Sequence, residues 1–548
     1  MKTGSFRRAL SAAAAVLAFA ASPAWAQDPA DAVYRDAKIY TVDPETTWAE
    51  AVAIRDGRFV YVGDDKGVDV FIGPETEVTD LDGRMVMPGI HDAHQHMVLA
   101  QARNIYCQIS PEADIDALIA GLRACPEEKR PDGWIIADVY RGDNFPGGKA
   151  DRKFLDEAFP DTPVYIREWS YHHALVNTKA LEIAGIDRDT PDPDGGTILH
   201  REDGEPSGEL LAGATFLAAR HLPPLSDEAI RKALLDTAAL CAQYGITSVQ
   251  DAGVTDAVAR QLHELDVSGQ WNLRTLAHVF WGNPAVSMMS IDQSEEVLAH
   301  RAELRSPRVS LDAVKLLIDG SPLQPHHTDV QLDGHGHYDR AKLYTTPETI
   351  AAALTRFEEE NLRVKMHAVG TGANRVAVNA IEAMRKVNRQ PHIKPEIAHS
   401  LYFSEEDMDR LAPLGIVTEM SPAIWQIKGP LTESLKGAWP FRSLLSRGVT
   451  MTIGSDWVVL PSPNLFPAIG GMLDHGDESI TIADAIRIAT RNGAEVAGWA
   501  DVTGSIEVGK MADMIVLDRN LFDAAAAEIG ETRVLRTVFE GRTIYTAE

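Results

Sequence analysis

The chain has 548 residues, with 80 Asp and Glu against 52 Lys and Arg, a net charge of −28. So acidic a balance argues against nucleic acid and anionic membrane surfaces as partners, and the length suits one large domain with a smaller companion, stable without covalent staples. Three cysteines with no Cys-x-x-Cys pair exclude a thiolate zinc site of the finger type.

Residues 1–26 read as a removable signal peptide. Lys2, Arg7 and Arg8 precede an apolar run from Ala9 to Ala21, and Ala24-Trp25-Ala26 forms an Ala-x-Ala cleavage site. The run is too short to anchor the chain in a bilayer, and Arg7-Arg8 leaves the twin-arginine route open behind the general secretory one. Cleavage leaves 49 basic against 80 acidic residues, a net −31. No later stretch approaches the roughly 18 apolar residues of a span, so the expectation is a periplasmic or secreted protein with no membrane association after signal removal. In that oxidising setting Cys107 and Cys125 either pair or stay as buried thiols.

Residues 27–86 are short alternating segments: 37–42, 51–54 and 58–63, the last two joined by Asp56-Gly57, a hairpin signal. Residues 504–548 repeat that character at 512–517 and 533–539. Neither end can make a stable sheet alone, which predicts one small β-sandwich domain built from both termini. Between them, residues 87–503 alternate strand-like and helical runs, the pattern of a β/α architecture. Successive strands end at His96, Asp251, Phe280, Leu317, His367, His399, Met420 and Ile453, and eight of them predict a TIM-type barrel. Residues 98–240 are too long for one crossover, so they contain an inserted subdomain, with 163–166 as a strand.

The first of those strands carries the chemistry. Met87-Pro88-Gly89 leads into His94-Gln95-His96, and on a strand rising roughly 3.3 Å per residue alternate imidazoles share a face and can converge on one ion. His367, His399 and Asp456 end later strands, and Lys315 lies in the fourth. In a barrel these ends meet at one mouth. Lys315, flanked by Val314, Leu316 and Leu317, is costly to bury as a cation. It either snorkels to the rim or has reacted with carbon dioxide to give a carbamate able to bridge two ions. Oxygen and imidazole donors without sulfur suit one or two divalent ions, Zn²⁺ first. Asp456, after the turn Gly454-Ser455, can orient a bound water and pass its proton to a leaving nitrogen.

In order and spacing, Met87-Pro88-Gly89 with His94-x-His96, Lys315 with Asp319-Gly320-Ser321, His367, Glu396-Ile397-Ala398-His399 and Gly454-Ser455-Asp456 resemble the amidohydrolase superfamily. The match is closer to its YtcJ-like branch, which includes N-substituted formamide deformylases. The resemblance implies that His94, His96 and Asp456 bind one metal, His367 and His399 a second, and a carboxylated Lys315 bridges them. It also aligns Tyr171-His172-His173 and Asn177 with the branch's glycine-histidine segment, giving His172, rather than His173, the task of binding the substrate carbonyl. Tyr171 stands where the branch has glycine, and Ala212 where it often has glutamate.

Other residues invite and then lose attention. His335-Gly336-His337 lies in a polar, Gly-rich loop; His326-His327 lines the pocket or faces solvent; Gly370-x-Gly372 lacks the third glycine of a phosphate loop. Asp319 is expected to serve its own turn, and Trp425 and Trp457 either meet an apolar substrate group or belong to the core. The expected function is hydrolysis of a non-peptide C–N bond, of amide, N-acyl or N-formyl type, in a small molecule, by metal-bound hydroxide with Asp456 as proton shuttle. The same site could instead serve an ester, lactone or carbamate, or an isomerisation, and an inactive zinc-binding or regulatory protein is the reading from another class. The resemblance also admits a homodimer.

Overall fold

The computed structural model describes Met1 and residues 28–110, 112–282, 289–323, 326–388, 393–426, 435 and 437–548. Nearly all of the expected signal segment lies outside the described residues. Among them no helix is long and apolar enough to cross a membrane.

Eight parallel strands form the centre: β1 (Ile90–Gln95), β2 (Ile246–Val254), β3 (Arg274–Phe280), β4 (Val309–Leu317), β5 (Arg363–Ala368), β6 (Glu396–His399), β7 (Val417–Met420) and β8 (Thr450–Ile453). Each pairs with its neighbour in chain order. Between β8 and β1 the ring is nearly closed, because the Asp456 backbone N–H donates to the His94 carbonyl at 2.8 Å and Gln95 bridges Trp457. The strands are buried on both faces, as a sheet covered by helices requires. The helices begin where the sequence offers hydroxyl caps: Ser226, Thr255, Ser290, Thr346, Ser404 and Thr481 each accept a first-turn N–H. One expectation shifts slightly. The first strand stops at Gln95, and His96 opens a short helix, Met97–Ala100.

The two termini meet in one sheet of eight strands. Glu77–Pro88, twelve residues long, is the reason: it pairs in parallel with Ala32–Tyr40 on one side and antiparallel with Met514–Leu517 on the other. The predicted sandwich of two sheets is therefore replaced by continuous hydrogen bonding. Val52, Ile54 and Phe59 from one end share a core with Met514, Val516 and Val538 from the other. Asp56-Gly57 turns its hairpin with φ of +50° and +75°, the two left-handed residues such a turn demands.

Between β1 and β2 lies a six-stranded sheet with Cys107–Gln108 and Gly196–His200 at its edges. Alternation divides its faces: Ile136, Tyr165, Ala174, Val176 and Leu210 pack on one side, and Ile135, Val164, Ile166 and Leu175 on the other. Cys107 and Cys125 form a disulfide on the second face, and Cys241 is buried and free. This sheet matters for function because the bend between Val164–Glu168 and His173–Val176 carries His172 toward the barrel mouth.

Candidate active site

The sheet pleat and the strand ends bring the widely separated polar residues into one cluster. His94, on β1, has no exposed side-chain surface; its Nε2 lies 3.9 Å from Asp456 Oδ1 and 3.2 Å from Lys315 Nζ. His96 Nε2 lies 3.8 Å from the same Asp456 oxygen, and His399 Nδ1 3.9 Å from Oδ2. The His94 and His399 rings are 4.7 Å apart, those of His399 and His367 4.5 Å, and those of His367 and His172 4.9 Å. All seven side chains named from the sequence thus stand around one space. His173 instead hydrogen-bonds the His326 carbonyl at 3.2 Å.

The backbone is unusual at these positions. His399, Ser400 and Asp456 adopt φ of +70°, +41° and +47°, a region that costs a side-chain-bearing residue about 1–3 kcal/mol and recurs at functional sites. Trp439 holds the first of them by donating its indole N–H to the His399 carbonyl at 2.8 Å. Tyr171 and Ala212, the two departures from the family pattern, also have positive φ, +64° and +51°. Glycine in place of Tyr171 is what that conformation favours on steric grounds. The chain keeps the turn without it, and the Ala212 N–H donates to the His172 carbonyl at 2.9 Å.

Burial sets the electrostatics. It pushes the imidazoles of His96 and His367 down to about 3, and those of His94, His172 and His399 well below their ordinary range, with Lys315's charge adding to the effect. All five rings are therefore neutral at pH 7, the state in which nitrogen offers a lone pair. Burial, with the nearby Lys365 charge, lowers Lys315 to about 7; burial also raises Asp456 to about 6 against the pull of Lys315. His367 Nε2 lies 3.1 Å from the Gly320 carbonyl, so that nitrogen carries the hydrogen and Nδ1 the lone pair.

The residues fit a divalent ion on their donor chemistry alone. One donor atom each from His94, His96 and Asp456 lies within 4.8 Å of the others, as does one each from His94, His399 and Glu419. Neutral imidazoles with a carboxylate are a nitrogen and oxygen set suited to Zn²⁺.

Three members of this cluster escape a reading of strand ends. Glu419 on β7 is fully buried, with Oε2 2.6 Å from His94 Nδ1. Lys365 and Glu396, buried on β5 and β6, pair at 3.3 Å, and Lys365 also donates to the Ala93 carbonyl. Lys365 precedes His367 by two residues, and that spacing, a shared strand face, was the available signal. The discounted residues fall elsewhere. His335 and His337 are exposed, Trp425 packs on Trp439 and His475, and His326 is partly exposed with Nε2 3.2 Å from Glu209 Oε1. Gly370 caps a helix, Thr371–Val387. Asp319 does more than serve its own turn: it accepts the N–H groups of Val330, Val369 and Gly370, tying two loops together.

Comparison with known proteins places the chain in a family and a fold. Residues 77–545 match the amidohydrolase family. The chain is 29% identical over 540 residues to the N-substituted formamide deformylase of Arthrobacter pascens, covering 93% of this chain and 97% of that protein. It is 25% identical over 545 residues to the putative amidohydrolase YtcJ of Bacillus subtilis, covering 94% and 99%. Among solved structures, an uncharacterized metal-dependent hydrolase from Pyrococcus horikoshii superposes with a TM-score of 0.68 at 21% identity, covering 90% of this chain and 99% of that one. With an eight-stranded parallel barrel, a polar cluster at one end of it, and a family match over most of its length, the chain belongs to the amidohydrolase family.

Proposed function

We propose that this protein is an exported, metal-dependent hydrolase of a non-peptide C–N bond, an amide of N-acyl or N-formyl type in a small molecule. The observation that carries the proposal is the convergence of His94, His96, His399 and Asp456, within 4 Å contacts through one carboxylate, beside a buried Lys315. His94, His96 and Asp456 would hold one ion, His367 and His399 a second, with Lys315 between them. The ions, when bound, supply Lewis acidity and a water acidified to react near neutral pH.

The chain's own residues do the rest. Lys315, lowered to about 7, has a neutral amine free to add carbon dioxide, releasing one proton and leaving an anionic carbamate in place of a buried cation. His172, neutral and packed near His367 with the rings tilted by 51°, can donate one N–H to a substrate carbonyl and fix its orientation. Asp456, raised to about 6, can take a proton from the attacking water and give it to the departing nitrogen, since its affinity lies near working pH. The deformylase relative supports an N-acyl substrate. The disulfide in the insert and the acidic surface are compatible with an oxidising compartment.

The test is a panel of N-substituted formamides, other N-acyl amines, esters and lactones, assayed with added zinc. Turnover of amides over esters of the same acyl group supports the proposal. Ester or lactone turnover alone would assign the same site to C–O cleavage, and no turnover with metal bound would favour a binding protein.

A further inference from the structure

Glu419 is among the enclosed side chains that the hydrolytic roles above do not use. It projects from β7 with no exposed surface, and its Oε2 lies 2.6 Å from His94 Nδ1 and 3.4 Å from the His399 backbone N–H, from which it accepts. Its Oε1 lies 3.4 Å from the Ser421 hydroxyl, and that hydroxyl is 3.4 Å from His399 Nδ1. One carboxylate therefore touches a histidine assigned to each ion. An imidazole that donates through Nδ1 must present its lone pair at Nε2, the atom that faces Lys315 and Asp456.

A rival role is direct ligation, because donor atoms of His94, His399 and Glu419 lie within 4.8 Å of one another. The short contact opposes it. Two ligands about 2.1 Å from a tetrahedral ion stand about 3.4 Å apart, whereas Glu419 Oε2 and His94 Nδ1 are separated by 2.6 Å, the distance of a charge-assisted hydrogen bond. A ligand pair cannot share that spacing.

We infer that Glu419 is a positioning residue: its carboxylate fixes the His94 tautomer and ring plane and, through Ser421, sets His399, so that one side chain on β7 aligns both halves of the metal centre. The inference rests on the metal-dependent reading above and concerns metal affinity, not substrate. Carboxylates that accept from a ligating histidine typically contribute 10–100-fold in affinity.

The experiment is a Zn²⁺ titration of the chelator-stripped, full-length mature protein against a chromophoric competitor, for wild type, Glu419→Leu and Glu419→Gln, with thermal melts of the stripped proteins as a folding control. Glu419→Leu should bind about 10–100-fold more weakly with the saturating number of ions unchanged, and Glu419→Gln, whose amide oxygen still accepts from Nδ1–H, should recover most of the loss. Equal affinity in wild type and Glu419→Leu overturns the inference alone. Loss of one ion at saturation in both variants also overturns it, in favour of ligation. A wild type that binds no Zn²⁺ sinks the hydrolytic reading together with it. Histidine-selective ¹⁵N spectra of the stripped wild type read the same point without any variant: the Nδ1–H tautomer at His94 is expected, and the Nε2–H tautomer overturns the inference.

Discussion

Asp456 lies at contact distance from three of the histidines, with its backbone in the left-handed region and its carboxyl raised to about 6 by burial. Glu168 shows the same physics away from the reaction. Its Oε2 accepts from the Ser170 N–H and hydroxyl, and burial pushes it from the usual 4.5 to about 8. For Asp456, replacement by Asn keeps the shape and removes the proton acceptor, so kcat should fall by about 10²–10⁴ with most of the metal retained, measured by steady-state kinetics beside metal analysis. For Glu168 the folded form binds its proton more tightly than the unfolded one. Its stability contribution is complete below about pH 4.5 and is lost as pH rises toward 8, by at most about 1.4 kcal/mol per unit. Glu168→Gln cannot ionise, so its melting temperature relative to wild type should rise between pH 5 and 8, and a pH-independent difference would contradict this. Residues such as His367, His399 and Asp456 were legible because each ends or follows an apolar run. Glu419, Lys365 and Glu396 were not, since a charge inside or opening a strand reads as a rim residue until the pleat direction and the facing strand are known.

At the scale of elements, β2 to β8 lie within a few residues of their sequence positions because their β-branched, apolar runs are bounded by turns and capped helices. The inserted sheet was barely legible. Only one of its six strands, Val164–Glu168, was anticipated, because Cys107–Gln108, Gly196–His200 and Pro206–Ala212 are short or carry Gly and Pro that read as loop. The terminal sheet was legible as a joint domain but not in its pairing, which depends on the reach of Glu77–Pro88 on both sides. Closure of the barrel hangs on Gly454, where an added Cβ would stand 2.3 Å from His94 Cβ and 2.6 Å from its backbone nitrogen. Gly454→Ala must part β8 from β1. It should lower both stability, by about 1–3 kcal/mol, and zinc affinity, read by thermal melting and titration; unchanged values in both would show that the closure does not position His94.

For the whole molecule, the order of parts explains the site. The terminal sheet and the barrel ladder fix β1, the insert brings His172 beside His367, and the proposed ligands lie up to 362 residues apart in sequence, His94 to Asp456. No segment contains the site, which only closure of the barrel assembles. The most direct measurement is anomalous diffraction at the zinc edge from crystals of the mature protein grown with Zn²⁺. The account predicts anomalous density within bonding distance of His94, His96 and Asp456, a second peak beside His367 and His399, and carboxylate density on Lys315 between them. Absence of anomalous density within this cluster, or His94 and His399 turned away from it, would contradict the account.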